Sequence, residues 1–314
     1  ARARGRDARA EQSGDSAPPD AARTQADLGD PSLPDPLATD SRIVKMDSVS
    51  AMDGGRADVV TSPPAGDLCD PSSTATNPWI ATAFDGVAVT TGAFNGRTTV
   101  ELPRVVRDAT ATNAKYGFDL RDTTAPLDAR AAFVNVRITD LKSADGFGAA
   151  IQTSGAPGVK LFLSRVYVEP NWPAWVSYQS TNYDGIVLDG SDELFAEDLT
   201  VKNWNADSAL DIKSNRAQFV CLRTEGNGNR TLRVWRTGPH YLVQSSLENR
   251  TGMILWISDC KNTEIRIYDS KFNDMPRIAA DKIDCDDGAM PRITYLDEDP
   301  RRNGQMHPMF SARN

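Results

Sequence analysis

None of the 23 Phe, Tyr and Trp residues of this 314-residue chain lies before Trp79. A segment without rings, carrying stretches such as "SAPPDAAR" and "DPSLPDPLATD", has too little apolar surface to build a core. Residues 1–78 therefore read as a low-complexity arm, with 1–40 disordered or extended. Histidine is almost missing as well: His240 and His307 are the only two. This excludes a His-rich metal site, and a Ser-His-Asp triad would have to rest on one of the pair. The four cysteines (Cys69, Cys221, Cys260 and Cys285) form no Cys-x-x-Cys pair, which argues against zinc-ribbon and thioredoxin-type sites. No apolar run approaches the roughly 20 residues of a membrane span. A net charge of -8 lacks the basic excess that phosphate backbones require, so nucleic acid is not an expected partner. The opening "ARARGRDARA" shows no apolar signal region and carries four arginines against one aspartate. It reads as a solvated tail or as an arm that docks on an acidic protein partner.

What the chain does contain is a cadence. Short β-rich runs return from about residue 131: "FVNVRITD", "LFLSRVYVEP", "LFAEDLTVKN", "QFVCLRTEG", "YLVQSSLEN" and "IRIYDSKFND". Their last apolar-facing positions, Ile138, Val168, Val201, Thr224, Leu247 and Phe272, are separated by 30, 33, 23, 23 and 25 residues. Two residues beyond each stands a turn former: Asp140, Pro170, Asn203, Gly226, Asn249 or Asp274. A second set of runs ("GAAIQTS", "GIVLDGS", "ALDIKSN", "LRVWRTG", "MILWISD") falls between them, and no amphipathic helix intervenes. Several short strands per repeat of this length predict an all-β fold, a right-handed parallel β-helix over residues 131–290. Residues 79–130 are expected to form irregular first coils or a cap, and 291–314 a C-terminal tail. Cys260 and Cys285 lie 25 residues apart, about one coil, which leaves a buried thiol ladder and a disulfide both open.

Strand alternation then sorts side chains by face. Placing Leu210 and Ile212 inside sends Asp211 and Lys213 outward. Placing Leu232 and Val234 inside leaves Arg233 and Trp235 outside, with Arg236 at the corner. One coil earlier, Asp189 follows the inward Leu188. The stacked face of Asp189, Asp211, Lys213, Arg233, Trp235 and Arg236 has the residue types of a sugar-binding surface. It equally has those of a wet sheet laced with cross-strand ion pairs. Beside it the insertion "PNWPAWVSYQSTNYD" gathers Trp172, Trp175, Tyr178 and Tyr183. These rings either stack on a pyranose or tuck onto the coil below. Asp184, Asp189, Asp207 and Asp211 offer a carboxylate pair for glycoside hydrolysis, which needs separations of roughly 5–9 Å. His240 reads as a corner residue.

The stretch "DIKSNRAQFVCLRTEGNGNRTLRVWRTG" (211–238) resembles the active-site coil pair of the β-helical polysaccharide lyases that include alginate lyases and chondroitinase B. That resemblance implies β-elimination on a uronate-containing, acidic polysaccharide. Lys213 would be the Brønsted base and Arg236 the acid, although Thr237 stands where the family's Arg-His-Gly motif has its His. The family's calcium, which neutralises the substrate carboxylate, would fall to Asp207 and Asp211, with Arg233 as the alternative neutralising charge. Trp172, Trp175, Tyr178, Tyr183, Trp235 and Asp189 would bind substrate. The rival expectation is a catalytically silent β-helix: a spike, adhesin or capsule-binding protein. Either way the carbohydrate reading places the protein outside the cell or on a cell or virion surface.

Overall fold

The computed structural model describes Cys69 and residues 77–121, 129–142, 145–153, 158–189 and 193–311. Nearly all of the expected arm, and with it the docking reading of the Arg-rich opening, lies outside the described residues. Those described form an all-β unit of two parallel sheets. The smaller sheet has eight strands: Thr98–Glu101, Tyr116–Arg121, Phe147–Gln152, Asn182–Leu188, Ser208–Ile212, Arg230–Val234, Met253–Ile257 and Ile283–Cys285. The main path of the larger sheet runs through Val89–Asn95, Arg104–Thr112, Arg130–Thr139, Lys160–Glu169, Glu193–Trp204, Arg216–Val220, His240–Val243, Glu264–Tyr268 and Arg292–Tyr295. The chain alternates between the sheets, so each strand pairs with its counterpart one repeat away. Among the described residues the only antiparallel contact outside the parallel ladders is a single bridge, Phe272 to Met275.

Register shows why the cadence exists. Phe94, Ala111, Ile138, Val168, Val201, Thr224, Leu247 and Phe272 are successive partners across the larger sheet. The expected anchors thus share one inward column. Facing it, Phe118, Ile151, Ile186, Leu210, Leu232, Leu255 and Ile283 stack across the smaller sheet. Strand neighbours lie about 4.8 Å apart, so like residues pack on like and the two columns make one continuous core.

Three residues before each anchor from Ala111 on, the backbone turns left-handed: Asp108, Asn135, Arg165, Asp198, Cys221, Gln244 and Asp269 have φ between 44 and 58°. Asp and Asn tolerate this region because their short polar side chains bond locally. A one-residue bend at each repeat creases the larger sheet. In the later repeats it splits the strand, separating Arg223–Gly226, Ser246–Asn249 and Lys271–Phe272 from their predecessors. A register shift between Glu225 and Gly226 sets Gly226 opposite Trp204. Asn249, which also pairs with Gly226, therefore aligns with Trp204 and not with Asn203, one residue off the regular corner.

Two expectations are corrected here. Of the two alternatives for residues 79–130, irregular first coils or a cap, the described strands exclude the cap, because Ala111 and Phe94 continue the anchor column and their strands pair in parallel. The repeat was hidden there by the short step from Phe94 to Ala111 and by Ala in an aliphatic position. Nor is the end of the chain a loose tail: Arg292–Tyr295 extends the larger sheet, and Met306, Met309 and Phe310 are buried. They join Ile80 and Phe84 in a second apolar layer over Val105, Ala132, Val134, Phe162, Phe195, Tyr241 and Val243. Helix Pro78–Ala83 starts cleanly because Asn77 accepts from the Trp79 and Ile80 amides and Pro78 occupies the first turn. Cys260 bonds Cys285, and Cys69 bonds Cys221. Among the described residues no helix is long and apolar enough to cross a membrane.

Candidate functional site

The charged face is built by three neighbouring strands, Asn182–Leu188, Ser208–Ile212 and Arg230–Val234. Their register, continued by strand Met253–Ile257, sets Val187, Asp211, Arg233 and Trp256 side by side. Each neighbours an inward residue of the Leu210 column, so alternation turns all four outward. Arg233 is the hub. Only 7% exposed, its Nη1 lies 2.8 Å from Asp207 Oδ2 and 3.5 Å from Asp211 Oδ2. Its guanidinium also lies 5.2 Å from the Trp235 ring centroid and 4.9 Å from that of Trp256. Asp211 accepts a second bond, from Trp235 Nε1 at 2.6 Å. Asp207 accepts from Asn229 Nδ2 at 3.0 Å and Arg230 Nη1 at 3.5 Å. Lys213 Nζ pairs with Asp189 at 2.6 Å and stands 4.0 Å from Asp211.

Beside this network opens a cleft of about 380 Å³. Its walls carry four rings (Tyr116, Phe147, Tyr178 and Trp235) together with Gln152, Asn182, Asp184, Asp211, Lys213 and Arg233. Tyr178 is 53% exposed and meets Phe147 edge-on, with ring centroids 5.7 Å apart. Asp184 is 4% exposed, and its Oδ1 has no hydrogen-bond partner among the described residues. Asn182 Oδ1 and Arg233 Nε are likewise buried and unbonded. Unbonded polar atoms in such positions are costly unless something else supplies their partners.

Charge interactions set the protonation pattern. Burial, and then the nearby Asp211 and Asp207 carboxylates, push Asp184 well above the ordinary carboxyl range; Arg233 and Ser208 oppose this. Burial also raises Asp211, but here Arg233, Lys213 and Trp235 all favour the charged form. For Lys213 burial disfavours the ammonium, yet Asp211 and Asp189 outweigh it and the pKa is raised. Lys213 is therefore held as a cation.

Family models, curated proteins and solved structures give no match to this chain.

The sequence-predicted residues divide sharply. Asp189, Asp211, Lys213, Arg233 and Trp235 do come together, and Asp207 joins them from below. Arg236 does not: its side chain is exposed and makes no hydrogen bond or ion pair within the described residues, while its carbonyl accepts from His240 and Thr263. Trp172 is 3% exposed and stacks on Tyr183 within the core, ring centroids 5.3 Å apart. Both rings are closed to a ligand, because the loop tucks them into the core. Trp175 is half-buried and is not part of the cleft wall. Of the four loop rings only Tyr178 faces the cleft. Tyr116, Phe147, Gln152 and Asn182 were missed. Tyr116, Phe147 and Gln152 lie on earlier strands, and only the register (Tyr116 to Ala149 to Asp184, and Phe147 to Asn182 at the start of the Asp184 strand) brings them to the site.

Calcium does not fit Asp207 and Asp211 in this arrangement. Their oxygens are engaged by Arg233, Arg230, Asn229 and Trp235, and no group of three or more His, Cys, Asp or Glu among the described residues is arranged for a metal. The positive charge at their centre is a guanidinium.

Proposed function

We propose that the described unit is a right-handed parallel β-helix that binds and acts on a polysaccharide in the cleft over its smaller sheet. The coil reading draws on the strict alternation between two parallel sheets and on the bend that recurs in each repeat. The right hand follows from the general preference of parallel crossovers. One observation carries the functional reading: four rings line the same cleft as three side chains (Asn182, Asp184 and Arg233), each of which has a buried polar atom unbonded among the described residues. A sugar ring offers an apolar C–H face to aromatic rings and hydroxyls to polar atoms, and the cleft has the size of small-ligand sites. The two disulfides accord with an exported protein.

The lyase version of this reading asks Lys213 for a neutral amine and Arg236 for a place beside the bond broken. Asp189 and Asp211 keep Lys213 charged, and Arg236 stands outside the cleft, so Lys213 is better suited to orient an acidic sugar together with Arg233. A silent spike or adhesin would use the same cleft for binding alone.

Affinity electrophoresis against alginate, polygalacturonate, xylan and soluble β-glucans tests the site. At least one polymer should retard the protein. Tyr178→Ala should weaken that binding about tenfold, equivalent to about 1.4 kcal/mol. Val176→Ala, on the same loop but outside the cleft wall, should leave it unchanged. No retardation by any of these polymers would end the carbohydrate reading.

A further inference from the structure

We propose that Asp184 is the proton donor of a glycosidic hydrolysis in this cleft, with Asp211 as the carboxylate that takes the proton from the attacking water. The inference rests on the cleft being the carbohydrate site. It assigns the reaction to a pair of acids, in place of the Lys213 and Arg236 pair.

Asp184 meets the structural demands on a general acid. It lines the cleft, yet only 4% of it is exposed, and Oδ1 has no partner among the described residues. A carboxyl oxygen buried without a partner favours the protonated form. Burial and the Asp211 and Asp207 carboxylates outweigh Arg233 and Ser208, which favour the charge. Asp211 differs in kind. Trp235 Nε1 donates to it at 2.6 Å, and the Arg233 and Lys213 cations stand 3.5 and 4.0 Å away. When the two acids share one proton, these partners hold the charge on Asp211 and leave the proton with Asp184. Two carboxyls in unlike environments, one neutral and one ionised, are what acid-base cleavage of a glycoside needs.

The step balances with water as co-reactant. The Asp184 proton passes to the glycosidic oxygen, and the C1–O bond breaks with its electron pair moving to that oxygen. Water attacks C1 from the opposite face, its oxygen forming the new bond while its proton passes to Asp211. The released sugar then carries a new reducing end of inverted configuration. Asp211 stands three positions along the neighbouring strand from Ser208, the residue paired with Asp184. That offset amounts to about 10 Å between backbone positions along the strand, and the configuration of the product decides whether a water stands between the two acids.

The experiment uses the full chain and the polymers named above, following reducing ends, ultraviolet absorbance and product configuration by NMR. The expected result is reducing ends of inverted configuration without the absorbance of an unsaturated uronyl product. Asp184→Asn should lower the rate at least 100-fold while keeping polymer affinity within about twofold, since the amide replaces a neutral carboxyl of the same shape. Asp184→Ser repeats the measurement should the amide fail to fold, and thermal unfolding checks each variant. Asp211→Asn should likewise lose turnover. An unsaturated product would overturn hydrolysis and leave the carbohydrate site standing, as would binding without any product. Wild-type rates in Asp184→Asn would overturn the acid, and retained configuration would overturn the role given to Asp211. Absence of binding to any polymer would remove the site itself.

Discussion

At the scale of single residues, buried polar groups divide into those with every bond made and those left waiting. His240 belongs to the first kind. It is 2% exposed, Nδ1 accepts from the Ala217 amide at 3.1 Å, and Nε2 donates to the Arg236 carbonyl at 2.8 Å. Burial outweighs the Arg236 bond and lowers its pKa from 6.5 to about 4. The unfolded chain therefore takes up a proton near pH 6.5 while the folded chain resists until about 4. Its stabilising contribution is whole above 6.5 and declines as pH falls through that window. Wild type should lose about 2 kcal/mol more than His240→Gln between pH 7 and 5, compared through urea midpoints. Equal pH slopes would refute it. His307 shifts the same way and Asp184 the opposite way, but both are common to the two proteins and drop out of the comparison. From sequence His240 reads as a corner residue, but it is the buried first residue of strand His240–Val243 and pairs with Ile265, so the corner ends one residue earlier. The fate of the loop rings was not legible, since nothing local tells Trp172, stacked inside on Tyr183, from Tyr178, left at the cleft. Asp184 was visible as one of four candidate acids; its unbonded oxygen depends on neighbours supplied by other coils.

At the scale of the element, the column is the unit of stability. Its spacing could be read because a residue that pairs with its own counterpart must recur once per repeat, and turn formers mark where. Ala111 escaped that reading because a methyl group is a weak apolar signal, although in the fold it is as deeply buried as Ile138. The column also contains a flaw. Thr224 pairs with Val201 on one side and Leu247 on the other, is 2% exposed, and its Oγ1 has no hydrogen-bond partner among the described residues. A hydroxyl stacked between two aliphatic side chains has lost its water without replacement. Thr224→Val keeps the shape and the β-branched preference for strands while removing that cost. It should stabilise the protein by about 1 kcal/mol, seen as a higher urea midpoint with an unchanged slope. A lower midpoint would mean that the hydroxyl has a partner that the column does not reveal.

At the scale of the whole molecule, each repeat is held mainly by the next, and such stacks depend on what ties distant repeats together. Here the tie is a clasp outside the larger sheet. Asn77 Nδ2 donates to the Met309 carbonyl at 3.0 Å and to Glu197 Oε2 at 2.8 Å, so both ends of the described unit meet on one middle strand. The His307 ring sits among Trp79, Phe162 and Phe195 at centroid distances of 4.6, 5.4 and 4.2 Å. Arg223 spans Asp198 and the Cys69 carbonyl, beside the Cys69–Cys221 bond. None of this was legible, because Cys69 lies in a segment that reads as arm and its partner is 152 residues away. The Cys260–Cys285 bond spans only 25 residues and links strands that already pair through Ile257 and Cys285. Loop-closure entropy therefore ranks the two: about 5 kcal/mol for the long loop and about 3.5 kcal/mol for the short one. Cys69→Ala with Cys221→Ala should lower the urea midpoint more than Cys260→Ala with Cys285→Ala. It should also release the clasp, exposing Phe162 and Phe195 and raising binding of a hydrophobic dye before the parallel sheets unfold. If the short-loop pair proves the more damaging, the sheets are held by their ends, and the clasp only covers an apolar face.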